Sequence, residues 1–200
     1  MHLSSSAIVC ASRPSGETGV VARLLTPQHG LIAAFVAGGR GRQLRPILIP
    51  GNLVAAELTA RPGSQMPSAR LELTQSRGPW LSEPLPAAAI AWVTALVAAT
   101  LPQRHAYPAL YQALAALLDA VCAAPSARGW LVGLLSWEAL LLRELGYGTP
   151  VARPEADDWA ALLAAFDQLG KALRRYPLAE QKSDVMAARA MLRERLAKID

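Results

Sequence analysis

Between Ser76 and Pro79 the sequence changes its period, and that change restricts the chain to a small set of architectures. From Ala7 to about Ser76, short apolar segments are separated by Gly, Pro and Asn. Ala7–Arg13 stops at Pro14-Ser15-Gly16, Thr18–Thr26 at Pro27-Gln28-His29-Gly30, and Leu31–Ala37 at a Gly38–Gly41 turn. After Pro50-Gly51-Asn52, Val54, Ala56 and Leu58 alternate with Ala55, Glu57 and Thr59, and Leu71 and Leu73 alternate with Glu72 and Thr74. Side chains on a strand point to opposite faces in turn, so this alternation makes one apolar face per segment. Five such strands with frequent turn signals predict a small closed or half-closed β-barrel, with an open five-stranded sheet as the alternative.

Past Pro79 the spacing becomes helical. Ala87–Thr100, Tyr107–Ala123 and Ala127–Leu145 are rich in Ala and Leu and are punctuated by Pro102, Pro108 and Pro125. The third is expected to stop at Gly146-Tyr147-Gly148, with Arg143 complementing the helix dipole in its last turn. Two more helices are expected, Asp157–Gly170 with acids in its first turn, and Asp184–Ala197 with Ser183 as N-cap and Asp184 favouring the dipole. The fold class is therefore α+β. Residues 1–78 form a barrel domain and 79–200 an all-helical domain, with a weaker break at 148–154.

A hydrophobic content of 52% is ample for a core. The apolar run Ala87–Leu101 is only about 15 residues long, whereas a bilayer takes roughly 20, so it reads as a buried helix and not as a membrane span. The start Met1-His2-Leu3-Ser4-Ser5-Ser6 lacks the basic and apolar parts of a secretory signal, and a cytoplasmic address is expected. Cys10 and Cys122 are far apart and outside any C-x-x-C pair, so both are expected to be small buried apolar residues. His2, His29 and His105 are equally scattered. Neither a metal nor a cofactor is expected.

The charge is uneven. The chain carries a net +5, and residues 1–80 account for all of it, with eight Arg against three Glu and no Lys or Asp. Segments 81–150 and 151–200 sum to −1 and +1. Arg40, Arg42 and Arg45 crowd into Gly38-Gly39-Arg40-Gly41-Arg42-Gln43-Leu44-Arg45, and Arg13 and Arg23 belong to the same predicted barrel. A local cationic patch gains free energy by releasing the counterions of a polyanion, so nucleic acid is the first partner to consider. Phe35 is the only aromatic residue before position 80, which favours electrostatic contact over base reading. Lys171, Arg174 and Arg175 are candidates for extending the strand-binding surface.

Catalysis finds little support. Gly38–Gly41 lacks the Lys-Ser/Thr of a P-loop and leads into no predicted helix, and Ser126 and Ser136 have no glycine elbow. No enzyme is expected. Most of the aromatic residues after position 80, among them Trp92, Trp130, Trp137 and Phe166, are expected to fill the space between helices.

Several motifs together resemble the RecO family of recombination mediators in bacterial DNA repair. They are Ser12-Arg13-Pro14-Ser15-Gly16-Glu17-Thr18, Leu25-Thr26-Pro27-Gln28-His29-Gly30-Leu31, Val36-Ala37-Gly38-Gly39-Arg40-Gly41, Leu48-Ile49-Pro50-Gly51-Asn52, and the run from Trp137 to Gly148 that ends Leu145-Gly146-Tyr147-Gly148. The resemblance implies an N-terminal OB-fold, a helical domain, binding and annealing of single- and double-stranded DNA, and cooperation with RecR in loading recombinase. It also implies a bacterial, nucleoid-associated location. Two departures stand out. Residues 146–200 contain no Cys, although many relatives carry a four-cysteine zinc module there, so this region reads as shortened and zinc is not expected. Some relatives carry a basic pair before the aromatic-Glu, linked to docking the acidic tail of single-stranded DNA-binding protein. Here that spot is Leu135-Ser136, which leaves Arg128 or Arg143 to supply the charge beside Trp137 as partner-binding candidates. The rival reading is an interaction adaptor whose basic loop meets an acidic protein, and a nucleic-acid enzyme comes last.

Overall fold

The computed structural model of the chain describes residues 2–60, 62–64, 66–148, 158–180 and 185–199. The chain folds into two compact units, one holding Met1–Ser82 with Leu101–Tyr111, the other Glu83–Thr100 with Gln112–Asp200. The first is the β unit. Its strands are β1 (His2–Ser15), β2 (Gly19–Thr26), β3 (Gly30–Val36), β4 (Leu53–Thr59) and β5 (Ser68–Gln75). They close in the order β1-β2-β3-β5-β4, so the barrel is observed and the open sheet is not.

Closure depends on β1. Its first half pairs with β4, from His2 opposite Thr59 to Ile8 opposite Leu53, and its second half pairs with β2, from Ile8 opposite Leu25 to Ser15 opposite Gly19. A register shift between Val9 and Ala11 bends the strand where it changes partners, as an extra residue in one strand does. The strand is longer than the expected Ala7–Arg13 because His2–Ser6, with no apolar run, is held by the β4 backbone. The last seam is short: β3 meets β5 in parallel at Phe35 and Ser68, with the Phe35 N–H donating to the Pro67 carbonyl at 2.8 Å.

Inside, Ala7, Val9, Val20, Ala22, Leu24, Ile32, Ala34, Val36, Val54, Ala56 and Leu58 form one cluster. Each fully buried Leu or Val contributes about 1.5–3 kcal/mol relative to staying in water. The β2–β3 turn is fixed by Thr26, whose buried hydroxyl donates to the Gly30 carbonyl at 3.0 Å and accepts from the His29 N–H at 3.2 Å. Leu101–Tyr111 joins this unit through Gln103, which bridges to Leu31, and Arg104, whose N–H donates to the Leu31 carbonyl at 2.9 Å. Gly30 has a φ of +67°, and a Cβ there would overlap the His105 backbone, so the close approach requires glycine.

The helices are α1 (Pro84–Thr100), α2 (Pro108–Ala123), α3 (Leu131–Glu144), α4 (Trp159–Arg175) and α5 (Met186–Leu196). The expected third helix is split, since Ala127–Gly129 is a separate 3-10 turn and α3 starts only after Trp130. Helix α1 is buried over nine of its residues, Trp92 and Leu96 among them, as a core helix should be. Among the described residues no helix is long and apolar enough to cross a membrane. Helix α4 starts later than expected, after Asp158, whose side chain accepts from the Ala161 N–H at 2.9 Å. Asp157, Ser183 and Asp184 lie outside the described residues.

The helical unit is organised around a buried charge. Glu138 on α3 is 0% exposed and receives the Trp92 Nε1–H at 2.7 Å and the Arg189 Nη2–H at 2.8 Å. Arg189 of α5 also donates to the Phe166 carbonyl at 2.6 Å, and its guanidinium sits 3.6 Å from the centre of the Phe166 ring. A Cβ on Gly170 would overlap that guanidinium, so a glycine in mid-α4 is the space Arg189 occupies. Cys10 is buried as expected, and its thiol is pushed up to about 12, mainly by burial. Cys122 is a correction: it is half-buried, because the expectation took no account of where α2 turns outward.

Candidate functional site

The expectation of a simple turn at Gly38–Gly41 is corrected by the strand order. β3 neighbours β2 and β5, and β4 neighbours β1 and β5, so the stretch between them crosses from one strand to a non-adjacent one. Gly38 (φ +68°) lets the chain leave β3, and Gly41 donates its N–H back to the Gly38 carbonyl at 2.8 Å. The chain then coils through a helical turn in which Leu48 N–H donates to the Leu44 carbonyl at 3.1 Å. Leu44, Ile47 and Leu48 face inward onto the barrel core, while Arg40, Arg42 and Arg45 stay exposed. The apolar residues thus fasten the crossover, and the cations are what it displays.

Asn52 fastens it from below. Its buried side chain donates to the Pro46 and Ile47 carbonyls at 2.9 and 3.1 Å and accepts the Arg77 N–H at 2.7 Å. Gly39 brings the loop against β2, where a Cβ would come within 2.8 Å of the Val20 Cβ. Neither role is apparent from sequence. Pro50-Gly51-Asn52 reads as a turn, and nothing local reveals that the amide spans separate backbone stretches.

At this end of the barrel an open cleft of about 380 Å³ is lined by Ser12, Arg13, Pro14, Val20, Gly39, Arg40, Arg45 and Leu48. Three guanidinium-bearing residues and no carboxylate line it. Arg40 is oriented by two bonds to the β1–β2 turn: Nη1 donates to the Glu17 carbonyl at 2.9 Å, and its backbone N–H to the Thr18 carbonyl at 3.1 Å. Like charges in one cleft repel, and an anion relieves that repulsion while gaining a directed donor.

The other expected residues are distributed differently. Arg42 is exposed on the crossover but does not line the cleft, and Arg23 is half-buried on β2 between Ala11 and Ala33. Lys171, Arg174 and Arg175 lie exposed in the last turns of α4, in the helical unit. Arg128 precedes α3 and holds its guanidinium 5.1 Å from the centre of the Trp159 ring. Arg143, in the last turn of α3, is 3.7 Å from Glu144. A helix of 14 residues separates these two arginines, about 20 Å at 1.5 Å per residue, so they do not share one site.

Trp137 is only 2% exposed, so its ring is not a projecting anchor. It instead lines a groove of about 350 Å³ with Ala113, Leu117, Ala120, Gly133 and Leu140, and its Nε1–H has no hydrogen-bond partner. A buried, unpaired donor is costly, and a ligand carbonyl or carboxylate would satisfy it. Among the described residues no three His, Cys, Asp or Glu side chains gather to hold a metal.

Two family models match the chain: the recombination protein O N terminal over residues 1–77, and the recombination protein O C terminal over residues 82–153. The DNA repair protein RecO of Rhodospirillum centenum is 42% identical over 149 residues, which are 74% of this chain and 58% of that protein. The protein of the same name from Phenylobacterium zucineum is 36% identical over 154 residues, 76% of this chain and 62% of its own. That from Caulobacter vibrioides is 36% identical over 171 residues, 84% and 66%. The chain therefore spans about three fifths of the length of the curated relatives it matches. With the barrel matched to one model and the helices from residue 82 to the other, the chain belongs to the RecO family.

Proposed function

We propose that this chain is a DNA-binding recombination mediator in bacterial DNA repair, acting without an active site. The observation that carries the reading is the carboxylate-free cleft where Arg13, Arg40 and Arg45 converge at the end of the barrel. Phosphates bound there displace condensed counterions and gain charge-assisted hydrogen bonds. Annealing then needs no covalent chemistry, because cations that neutralise two strands lower the repulsion between them. Arg42 and Arg23 extend the cationic surface, and Lys171, Arg174 and Arg175 add a second one. The relatives' shared name, DNA repair protein RecO, supports the same role, with RecR as the partner in loading recombinase onto single strands in the cytoplasm.

The groove at Trp137 favours a partner-binding role beside this one. We infer that it takes the acidic, apolar-ended tail of single-stranded DNA-binding protein, with the unpaired indole N–H meeting a tail oxygen and Arg128 or Arg143 steering the charge. The adaptor reading, in which the basic loop meets an acidic protein and not DNA, is separated by experiment. Titrating labelled single- and double-stranded oligonucleotides at several salt concentrations should give a steep fall of log K with log salt. Replacing Arg40, Arg42 and Arg45 together by Ala should weaken both substrates and reduce that slope by about 2–3, at roughly 0.7–0.9 for each phosphate left without its cation. An unchanged slope removes the loop from the mechanism. No binding at low salt, with a pull-down that survives nuclease, establishes the adaptor.

A further inference from the structure

Two helix ends in the helical unit hold a pair of tyrosines face to face in solvent. Helix α3 closes with a glycine in the left-handed region: Gly146 (φ +83°) donates to the Arg143 carbonyl at 3.0 Å, and the Tyr147 N–H donates to the Leu142 carbonyl at 2.8 Å. Helix α4 ends at Tyr176, whose N–H donates to the Ala172 carbonyl at 3.0 Å. The two rings stack at 5.4 Å between centres and 13° between planes, yet Tyr147 remains 41% and Tyr176 37% exposed. Aromatic rings are normally among the better-buried side chains, so an ordered, solvent-facing stack leaves π surface available. The surroundings are cationic. The Arg175 guanidinium lies 5.4 Å from the centre of the Tyr176 ring, and Lys171 and Arg174 are exposed within five residues of it on α4. Arg143 stands at the other helix end, partly offset by Glu144.

We propose that Tyr147 and Tyr176 form a stacking platform for the unpaired bases of single-stranded nucleic acid, with Lys171, Arg174 and Arg175 holding the adjoining phosphates. The proposal rests on the nucleic-acid reading above and assigns base stacking to the helical unit, since the strands of the barrel offer only Phe35 as an exposed phenyl or phenol ring. Parallel rings match the geometry by which bases stack on aromatic side chains, and such stacking is indifferent to sequence because every base has a π face. Duplex bases, already stacked and paired, do not reach it.

The test uses the full chain and three oligonucleotides of equal length: oligo-dT, an abasic single strand, and a duplex. Tyr147→Leu with Tyr176→Leu keeps the apolar bulk and removes the π faces. It should weaken oligo-dT binding roughly tenfold while shifting the abasic strand and duplex less than about twofold. Tyr147→Phe with Tyr176→Phe should restore wild-type affinity. Equal losses on all three, or none on oligo-dT, overturn the proposal. Independently of how the variants fold, photolysis of wild-type protein bound to 5-iodouracil oligonucleotides should give adducts on Tyr147 or Tyr176, and bound complexes without such adducts overturn it. If wild-type protein binds no oligonucleotide at low salt, the nucleic-acid reading itself fails. If binding is intact and sensitive to Arg40, Arg42 and Arg45 but blind to both tyrosines, the platform alone fails.

Discussion

The Glu138 carboxylate and the Arg189 guanidinium, 51 residues apart, form a two-point ion pair at 2.8 and 3.3 Å with both side chains almost wholly buried. The pair ties α5 to α3, and Trp92 and the Phe166 carbonyl complete its hydrogen bonds. Removing one partner strands the other charge in the core. Glu138→Ala or Arg189→Ala should therefore cost about 3–5 kcal/mol in urea unfolding, whereas Glu138→Leu combined with Arg189→Met should recover much of the loss. Single variants as stable as the wild type would show that the pair does not hold the helices together.

The arginines of the crossover should not be equivalent. Arg40 and Arg45 line the cleft and Arg42 does not, so Arg40→Ala and Arg45→Ala should each weaken DNA binding more than Arg42→Ala. Each phosphate no longer neutralised should also lower the salt slope by about 0.7–0.9. Side-by-side titration of the three variants decides it, and identical losses would mean a diffuse surface.

Asn52 spans the crossover and the start of the segment after β5, so its loss reaches the cleft indirectly. Asn52→Ala leaves the Arg77 N–H and two carbonyls without their partner, at about 1–3 kcal/mol per buried group. A lower melting temperature together with weaker DNA binding is expected. Asn52→Asp keeps the acceptor for Arg77 but loses both donors, and should fall between.

Gly16 and Gly30 share nearly the same φ, +66° and +67°, but a Cβ on Gly16 meets nothing within 4 Å while one on Gly30 overlaps the His105 backbone. Both alanine variants incur the left-handed backbone cost of about 1–2 kcal/mol. Gly30→Ala should lose clearly more in thermal unfolding. Equal losses would mean that Leu101–Tyr111 is not seated on β3.

Cys10 should behave as an inert thiol. Its pKa is raised from 9.0 to about 12, chiefly by burial, so the folded state holds the proton more tightly than the unfolded chain. The stability from this protonated thiol is fully present below pH 9.0 and falls as pH rises toward 12. At about pH 8, below the ordinary thiol range, iodoacetamide should label the half-buried Cys122 first and reach Cys10 only on unfolding. Mass spectrometry of the labelled protein reports the order.

The expected strand around Val54–Thr59 and the core helix at Ala87–Leu101 agree with the structure because each carries its period within a few residues. Only the second half of β1 is legible in the sequence, since His2–Ser6 is polar and becomes a strand only by pairing with β4. The basic cleft is legible in part: Arg40 and Arg45 stand out by crowding, but Arg13 joins them across the β1–β2 turn, a proximity no local pattern contains. The motif around Trp137 marks that residue, and only packing shows it lining a groove with its N–H unpaired.

What the sequence by itself determined is the kind of each element and the sign of its charge: alternation makes strands, a 3.6-residue period makes helices, and eight arginines against three glutamates make the first eighty residues cationic. Tertiary structure decided the neighbours. The parallel seam of β3 with β5, the crossover that plugs the barrel, the Glu138–Arg189 pair and the Tyr147–Tyr176 stack all join residues far apart along the chain. Periodicity tells a side chain which face it occupies, whereas the partner across that face is set by how all the faces are buried together.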